Sequence, residues 1–227
     1  MAFIQTRLPC PECGGSDPAA MNDDGSIKCF SCGVFIPKAK EENKVTSISN
    51  FQKTPTPNGE FYPLTDRGIS LATAKKYRVR SVKNSTGQIV EHIYPYYSGN
   101  DEVGTKVRKE NKAFTWRGDA KSCGLFGQQL FQSGGKYVTL VEGEVDAMSA
   151  YELMGSQWPV VSIRNGAQSA DRDVKENLEF LESFDNIIIN FDNDQHGRNA
   201  AKKVARLLRP GKAKIMEVPV DYKDAND

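Results

Sequence analysis

Acids stand where two apolar runs end. Glu142 closes "YVTLVE", and Asp192 and Asp194 follow "NIIINF" with one residue between them. In an extended segment, side chains two positions apart point the same way, so Asp192 and Asp194 would aim both carboxylates at one point. Carboxylates held together repel, and without a cation one of them must stay protonated. A divalent ion removes that cost. Magnesium is commonly held by one or two carboxylates with water and substrate phosphates, which suits acids at an open edge. The plainer reading is that the two aspartates cap a helix opening near Gly197, because acids favour helix N-termini. Glu144, in "VEGEVD", also has two readings: a first-turn acid complementing the helix dipole, or a further ligand. His92 and His196 are the only histidines, and no cysteine or serine nucleophile pattern accompanies them.

Four of the five cysteines form the second constellation. "CPEC" at Cys10 and Cys13 and "CFSC" at Cys29 and Cys32 give the C-x2-C…C-x2-C arrangement of a tetrahedral structural zinc site. Disulfides are the other reading of such pairs, but no secretory signal precedes them, and in a reducing compartment paired cysteines more often hold metal. Cys123 stands apart and reads as a partly buried thiol.

These residues need elements to position them. Residues 1–37 hold the four cysteines and too few large apolar residues for a core, so metal must supply much of the folding free energy of a small ribbon. Residues 38–60 are polar, charged and proline-spaced, and read as a flexible linker. Residues 61–136 read as a compact α+β subdomain. In it "SLATAKKY" is a short helix capped by Ser70, and "GQIVEHIYPYYS" and "TKVRKENKAFTW" are two strands, the first interrupted or edged by Pro95.

From residue 137 to 227 strand and helix alternate. Strands are expected at 137–142, 159–163, 186–191 and 213–218, and helices at 144–154, 171–184 and 197–208. Short apolar strands separated by helices predict a parallel sheet covered on both faces. Ligands bind such sheets beyond the carboxyl ends of the strands, which is where Glu142, Asp192 and Asp194 would meet.

Composition narrows the classes. At 227 residues and 38% hydrophobic content the chain has room for one large or two small domains. Its longest apolar runs are far shorter than the ~20 residues a bilayer helix needs, so no membrane partner is expected and the default compartment is cytoplasmic. A net charge of +1 does not announce a nucleic-acid binder. Distribution says more: residues 75–83 carry five cations and no anion, and residues 106–121 six cations against two anions, with Tyr77, Phe114 and Trp116 among them. Aromatics between cations suit a face that binds a strand or phosphates, although solvated surface is the ordinary reading of such runs.

With these residues in view, "LVEGEVDAMSA" followed by "INFDNDQHGRNAA" resembles the Toprim signature, a fold shared by bacterial-type primases, topoisomerases and some recombination proteins. The whole chain is similar to the N-terminal primase portion of the phage primase-helicases of the T7 type. The four-cysteine ribbon, "LTDRGIS", "KVRKENKAF", "GLFG", "VEGEVD", "DNDQHGR" and "KDAND" stand in that family's order.

The resemblance implies an α/β fold: a Toprim-type parallel sheet with an α+β N-terminal subdomain, preceded by a zinc ribbon. It implies a DNA primase that makes short RNA primers from ribonucleoside triphosphates on single-stranded DNA, with the ribbon choosing the start site. Glu142, Asp192 and Asp194 would be its metal-linked acids, working with Mg or Mn, and Asp146 and Asp224 supporting members. Lys106 and Lys112 would lie near the nucleotide or nascent primer with Arg108 between them, and Gly166, in "RNGAQSA", would let backbone approach the nucleotides. Zinc would sit on Cys10, Cys13, Cys29 and Cys32. A helicase, fused or separate, and a replicative DNA polymerase would be partners, in the host cytoplasm if the chain is phage-encoded.

Two departures matter. Ser26 stands where a phage relative has histidine, so the preferred template trinucleotide does not carry over. The chain also ends just after "KDAND" without the helicase loop G-x-x-x-x-G-K-[ST], and a piece of a longer primase-helicase is expected. The rival readings are a recombination mediator that clamps DNA without catalysis and a Toprim nuclease or topoisomerase fragment. The first lacks its usual helical hairpins here, and the second its nucleophile domain.

Overall fold

The structure, a computed structural model, describes residues 3–8, 16, 19–23, 26–31, 35–36, 58–110, 113–219 and 221–227. The chain divides into two compact units, Met1–Asn50 and Phe51–Asp227.

The first unit is a four-stranded antiparallel meander of β1 (Phe3–Leu8), β2 (Ala19–Asn22), β3 (Ile27–Cys29) and β4 (Phe35–Ile36). The β2–β3 turn is closed by the Asn22 N–H on the Ser26 carbonyl and by Asn22 Nδ2 on Ser26 Oγ, both 2.8 Å. Among the described residues Ala19 and Cys29 form its buried cluster, with Leu8 and Ile27 packed against them. A core of that size does not stabilise a domain alone. Cys10, Cys13 and Cys32 lie outside the described residues, as does most of the expected linker. At the linker's end Glu60 exchanges backbone hydrogen bonds of 2.8 and 3.1 Å with Ser81, so that residue belongs to the sheet that follows.

The second unit opens with a 3-10 turn at Thr65–Arg67 and α1 (Leu71–Lys76), whose N-cap Ser70 accepts the Thr73 N–H as the sequence predicts. An antiparallel sheet follows in the order β5 (Arg80–Lys83), β6 (Ile89–Ser98), β7 (Asp101–Lys109), β8 (Phe114–Gly118). Here the expected single strand "TKVRKENKAFTW" is corrected: it is a hairpin in which Arg108 stands opposite Phe114 and Lys106 opposite Trp116. The connecting sequence has neither glycine nor proline, so the strongest local hairpin signals are missing. Pro95 does not interrupt β6, which runs through it. The β5 partner ends opposite Ile93, so Pro95 sits where β6 is paired only with β7, the situation in which a missing N–H is tolerated.

The remaining elements are β9 (Gly135–Val141), α2 (Glu144–Leu153), β10 (Val160–Ser162), α3 (Ala170–Glu176), α4 (Leu178–Glu182), β11 (Phe184–Asn190), α5 (Gln195–Ala205) and β12 (Ala213–Ile215). The expected helix over 171–184 is two helices, broken at Asn177, whose side chain turns back to the Asp173 carbonyl at 2.8 Å. All pairings in this second sheet are parallel, in the order β10-β9-β11-β12, as expected. Both faces are covered. Val138, Leu140, Ile187 and Ile189 pack with α3, α4 and α5 residues such as Val174, Leu181 and Val204. On the other face α2 is enclosed with Tyr77, Tyr94, Tyr96 and Phe126. This explains why Val145, Ala147, Met148, Ala150 and Tyr151 of α2 are all buried: helices walled on both sides are apolar most of the way round. "GLFG" also finds its purpose, since Phe126 pairs with Ser162 and extends the β10 edge.

Register then places the acids. Val141 stands opposite both Ser162 and Asn190, so the segments beginning at Glu142, Ile163 and Phe191 leave the sheet at one edge.

Candidate active site

Glu142 follows directly on β9, and its Oε1 accepts the Ala167 N–H at 3.0 Å. Ala167 lies on the loop that leaves β10, so one hydrogen bond spans two strand ends. Gly166 precedes it at φ 71° and ψ 178°, a backbone conformation that favours glycine. Oε2 of Glu142 is buried and makes no hydrogen bond of normal geometry. Burial first, and the neighbouring charge of Asp192 second, push the Glu142 carboxyl above its usual range; Asp194 adds to the rise.

Asp194 is the N-cap of α5, accepting the Gly197 N–H at 2.8 Å, and this bond holds its carboxyl below the usual range. The capping reading of the sequence therefore applies to Asp194. Asp192 instead faces the chain's end: Lys223 Nζ donates to its Oδ2 at 2.6 Å. The turn between them is fastened by Arg198, which donates to both the carbonyl and Oδ1 of Asn193 at 2.8 and 3.0 Å. His196 is exposed on the first turn of α5.

Asp146, on the first turn of α2, accepts the Gly143 N–H at 3.0 Å. Burial, then the charges of Asp224 and Asp192, push its carboxyl up to about 7. Three aspartates from separate elements thus share one electrostatic neighbourhood. "KDAND" is fastened there by Asn226, whose Nδ2 donates to Ser149 Oγ of α2 and to the Arg67 carbonyl, both at 2.8 Å. "LTDRGIS" supplies that Arg67 turn, which accounts for the two motifs together.

Lys106, on β7, reaches the same region from the antiparallel sheet. Its Nζ lies 2.7 Å from Glu144 Oε1 and donates to the Arg164 carbonyl at 2.8 Å. Glu144 is a first-turn acid of α2, as one reading of the sequence has it, and it is also the buried partner of Lys106. Arg108 and Lys106 both lie over the exposed ring of Phe114, at 5.8 and 4.8 Å. Lys112 lies outside the described residues. The other basic run is largely occupied by neighbours: Arg80 pairs with Glu102 at 3.0 Å, and Lys76, Arg78 and Lys83 lie over Phe131, Tyr97 and Tyr62.

Sequence reasoning missed the hub behind the Gly166 loop. Arg164 is 2% exposed and Asp173 0%. The Arg164 guanidinium grips Asp173 Oδ1 at 2.7 and 3.1 Å, its own N–H binds Asp173 Oδ2 at 2.7 Å, and it also reaches Glu176 and the Cys123 carbonyl. A lone arginine ending the apolar run "PVVSI", followed by "DRD", was the available signal. Lys223, beside "DAND", was missed as well.

Among the described residues no group of three or more His, Cys, Asp or Glu side chains is already gathered closely enough to hold a metal ion. The open edge nonetheless fits a divalent cation. Glu142 keeps an unsatisfied buried oxygen, and Asp192 has drawn a lysine ammonium onto itself. Glu142 and Asp146 are pushed toward protonation when no cation offsets their neighbours.

Comparisons with known proteins identify the fold and the family. A family model described as Toprim-like matches residues 139–227. The chain is 35% identical to a DNA helicase/primase of Enterobacteria phage T3 across 97% of its own length, and spans 40% of that relative. It is 32% identical to the crystal structure of the primase fragment of the bacteriophage T7 primase-helicase, with TM-score 0.68 over 99% of this chain and 93% of that one. It is 36% identical, with TM-score 0.67 over 74% of this chain and 84% of that one, to a structure of bacteriophage T7 lagging-strand DNA polymerase interacting with primase domains bound to an RNA/DNA hybrid and dTTP. The DnaG catalytic core, 14% identical at TM-score 0.53 over 71% of this chain and 65% of that one, shares the fold. The chain therefore belongs to the family formed by the primase portion of the T7-type phage primase-helicases.

Proposed function

We propose that the chain synthesises short RNA primers on single-stranded DNA, and that the edge bearing Glu142, Asp192 and Asp194 is where nucleotides are joined. The observation that carries the reading is Glu142. One oxygen is fixed by the Ala167 N–H while the other is buried with no hydrogen bond of normal geometry, next to aspartates delivered by the adjacent parallel strand.

A magnesium or manganese ion held by Glu142, Asp192 and Asp194, with Asp146 and Asp224 beside them, would supply Lewis acidity to the triphosphate and the attacking 3′-hydroxyl. The chain's own residues do the rest. Lys106 offers an N–H where phosphate charge builds up. Arg108 and Phe114 present a cation and an aromatic face suited to a nucleic-acid strand, and Lys112, four residues on in sequence from Arg108, would add a further cation. The loop at Gly166 lets main chain approach a nucleotide where a side chain would obstruct it.

Zinc on Cys10, Cys13, Cys29 and Cys32 would hold the first unit, which selects the start site at the high effective concentration a tether provides. The T7 relative captured with a polymerase and an RNA/DNA hybrid supports a hand-over of primer to a replicative DNA polymerase. The T3 helicase/primase supports a helicase partner, and the host cytoplasm is the compartment that fits both. Among the described residues no helix is long and apolar enough to cross a membrane. None of the relatives above is a recombination mediator or a nuclease.

The test is direct. Single-stranded DNAs of varied sequence, ribonucleotides and magnesium should yield short RNAs; no product on any template while DNA binding persists would overturn the proposal.

A further inference from the structure

Lys106 is held from several directions by groups that the nucleotide-joining reading leaves unused. Its Nζ pairs with Glu144 Oε1 at 2.7 Å and donates to the Arg164 carbonyl at 2.8 Å. The same Glu144 oxygen accepts the Tyr96 hydroxyl at 2.6 Å. Glu144 is 5% exposed and Tyr96 0%, so this is an interior network.

Tyr96 cannot swing away. Trp116 packs on it at 4.7 Å between ring centroids and Phe126 at 5.7 Å. Trp116 in turn donates its Nε1 proton to Asn165 Oδ1 at 3.1 Å, next in the chain to the carbonyl that accepts from Lys106. The antiparallel sheet, the first turn of α2 and the loop after β10 therefore close on one ammonium group. That loop also supplies the Ala167 N–H to Glu142.

A lysine side chain is flexible and its ammonium rotates freely, so an unrestrained one is a poor tool for orienting a phosphate. Two of its three N–H groups are committed here, which turns a roaming charge into a directed donor. The acid that would merely cancel that charge is placed to aim it.

We infer that Glu144 and Tyr96 are positioning residues for Lys106, fixing its ammonium for the nucleotide without themselves touching it. The inference rests on the primer-synthesis reading for its catalytic consequence, and on the geometry alone for the restraint of Lys106.

The experiment uses the whole chain carrying Glu144→Gln, Tyr96→Phe, Lys106→Met, or Glu144→Gln with Lys106→Met. Tyr96→Phe keeps the buried ring and deletes only the hydroxyl, and thermal melts establish that each variant is folded. In primer synthesis with titrated ribonucleotide, kcat/KM should fall by about 10- to 100-fold for Glu144→Gln and by less for Tyr96→Phe. Adding Glu144→Gln to Lys106→Met should cost little more, because the two act as one unit.

A second readout needs no chemistry at the site: acetylation of Lys106 by an amine-directed reagent, followed by mass spectrometry. It should be slow in the unaltered chain and several-fold faster in both Glu144→Gln and Tyr96→Phe. Additive losses in folded variants, or Lys106 acetylated at the unaltered rate in both, would overturn the inference. If the unaltered chain makes no primer, the functional proposal fails and the acetylation rates alone decide the positioning.

Discussion

A Cβ atom on Gly197 would lie 2.9 Å from both the main-chain nitrogen and the carbonyl carbon of Asp192, and closer still to its carbonyl oxygen. Glycine at the start of α5 is thus what allows the acidic turn to fold back over the helix. The contact is with backbone, which cannot rotate aside. Gly197→Ala should cost ~3 kcal/mol of stability, read from denaturant unfolding. In the same variant primer synthesis should drop at least ~10-fold, because Asp192 and Asp194 are displaced together. A stable, fully active variant would show that the turn tolerates rearrangement.

The Arg164–Asp173 hub supports the loop that carries Gly166 and Ala167. Removing one partner leaves the other a buried charge without its main partner, only partly offset by Arg172 beside Asp173 or Glu176 beside Arg164. Arg164→Met is expected to destabilise the second unit by about 3 to 5 kcal/mol, whereas Arg164→Met combined with Asp173→Leu should recover part of that loss. Urea unfolding of the single and double variants measures both.

Asp146 gives the acidic edge a pH signature. An ordinary aspartate releases its proton near pH ~4, but in the folded chain Asp146 holds it to about 7. Between these values the folded state binds a proton that the unfolded state has lost, so stability falls as pH rises through the window. Glu142, also raised, acts in the same direction. The depressed Asp194 acts oppositely, its contribution being lost only as pH falls below the ordinary carboxylate range. In metal-free buffer Tm should decline from pH 5 to pH 8, and Asp146→Asn should flatten that decline. Added magnesium should stabilise the chain more at pH 8 than at pH 5.

Cys29, buried at the end of β3, tests the first unit by itself. Cys29→Ser should abolish bound zinc, measured by metal analysis, and erase discrimination among template sequences. The unfolding transition of the second unit should remain in place, because among the described residues its core clusters are built from its own side chains.

Much of this architecture is legible in the sequence, and the exceptions have physical reasons. The β-branched runs at 137–142 and 186–191 marked parallel strands because such strands are buried on both faces, and their ends located Glu142 and Asp192. Ser70 announced its helix because a cap is a local interaction. The β7–β8 hairpin stayed hidden in a turn without glycine or proline, and the break at Asn177 depends on a side chain returning to the Asp173 carbonyl. The interactions of Glu144 with Lys106, of Lys223 with Asp192 and of Arg164 with Asp173 are tertiary. Nothing in the one-dimensional pattern paired these residues with one another.

The central claim is that carboxylates on adjacent parallel strand ends join nucleotides on a template. The measurement that tests it most directly is primer synthesis on single-stranded DNA by the unaltered chain, Glu142→Gln and Asp192→Asn, with DNA binding measured in parallel. The account predicts short RNAs from the unaltered chain and a loss of product by ~1000-fold or more in both variants, with DNA binding retained. Primers made at the normal rate by either variant would contradict it.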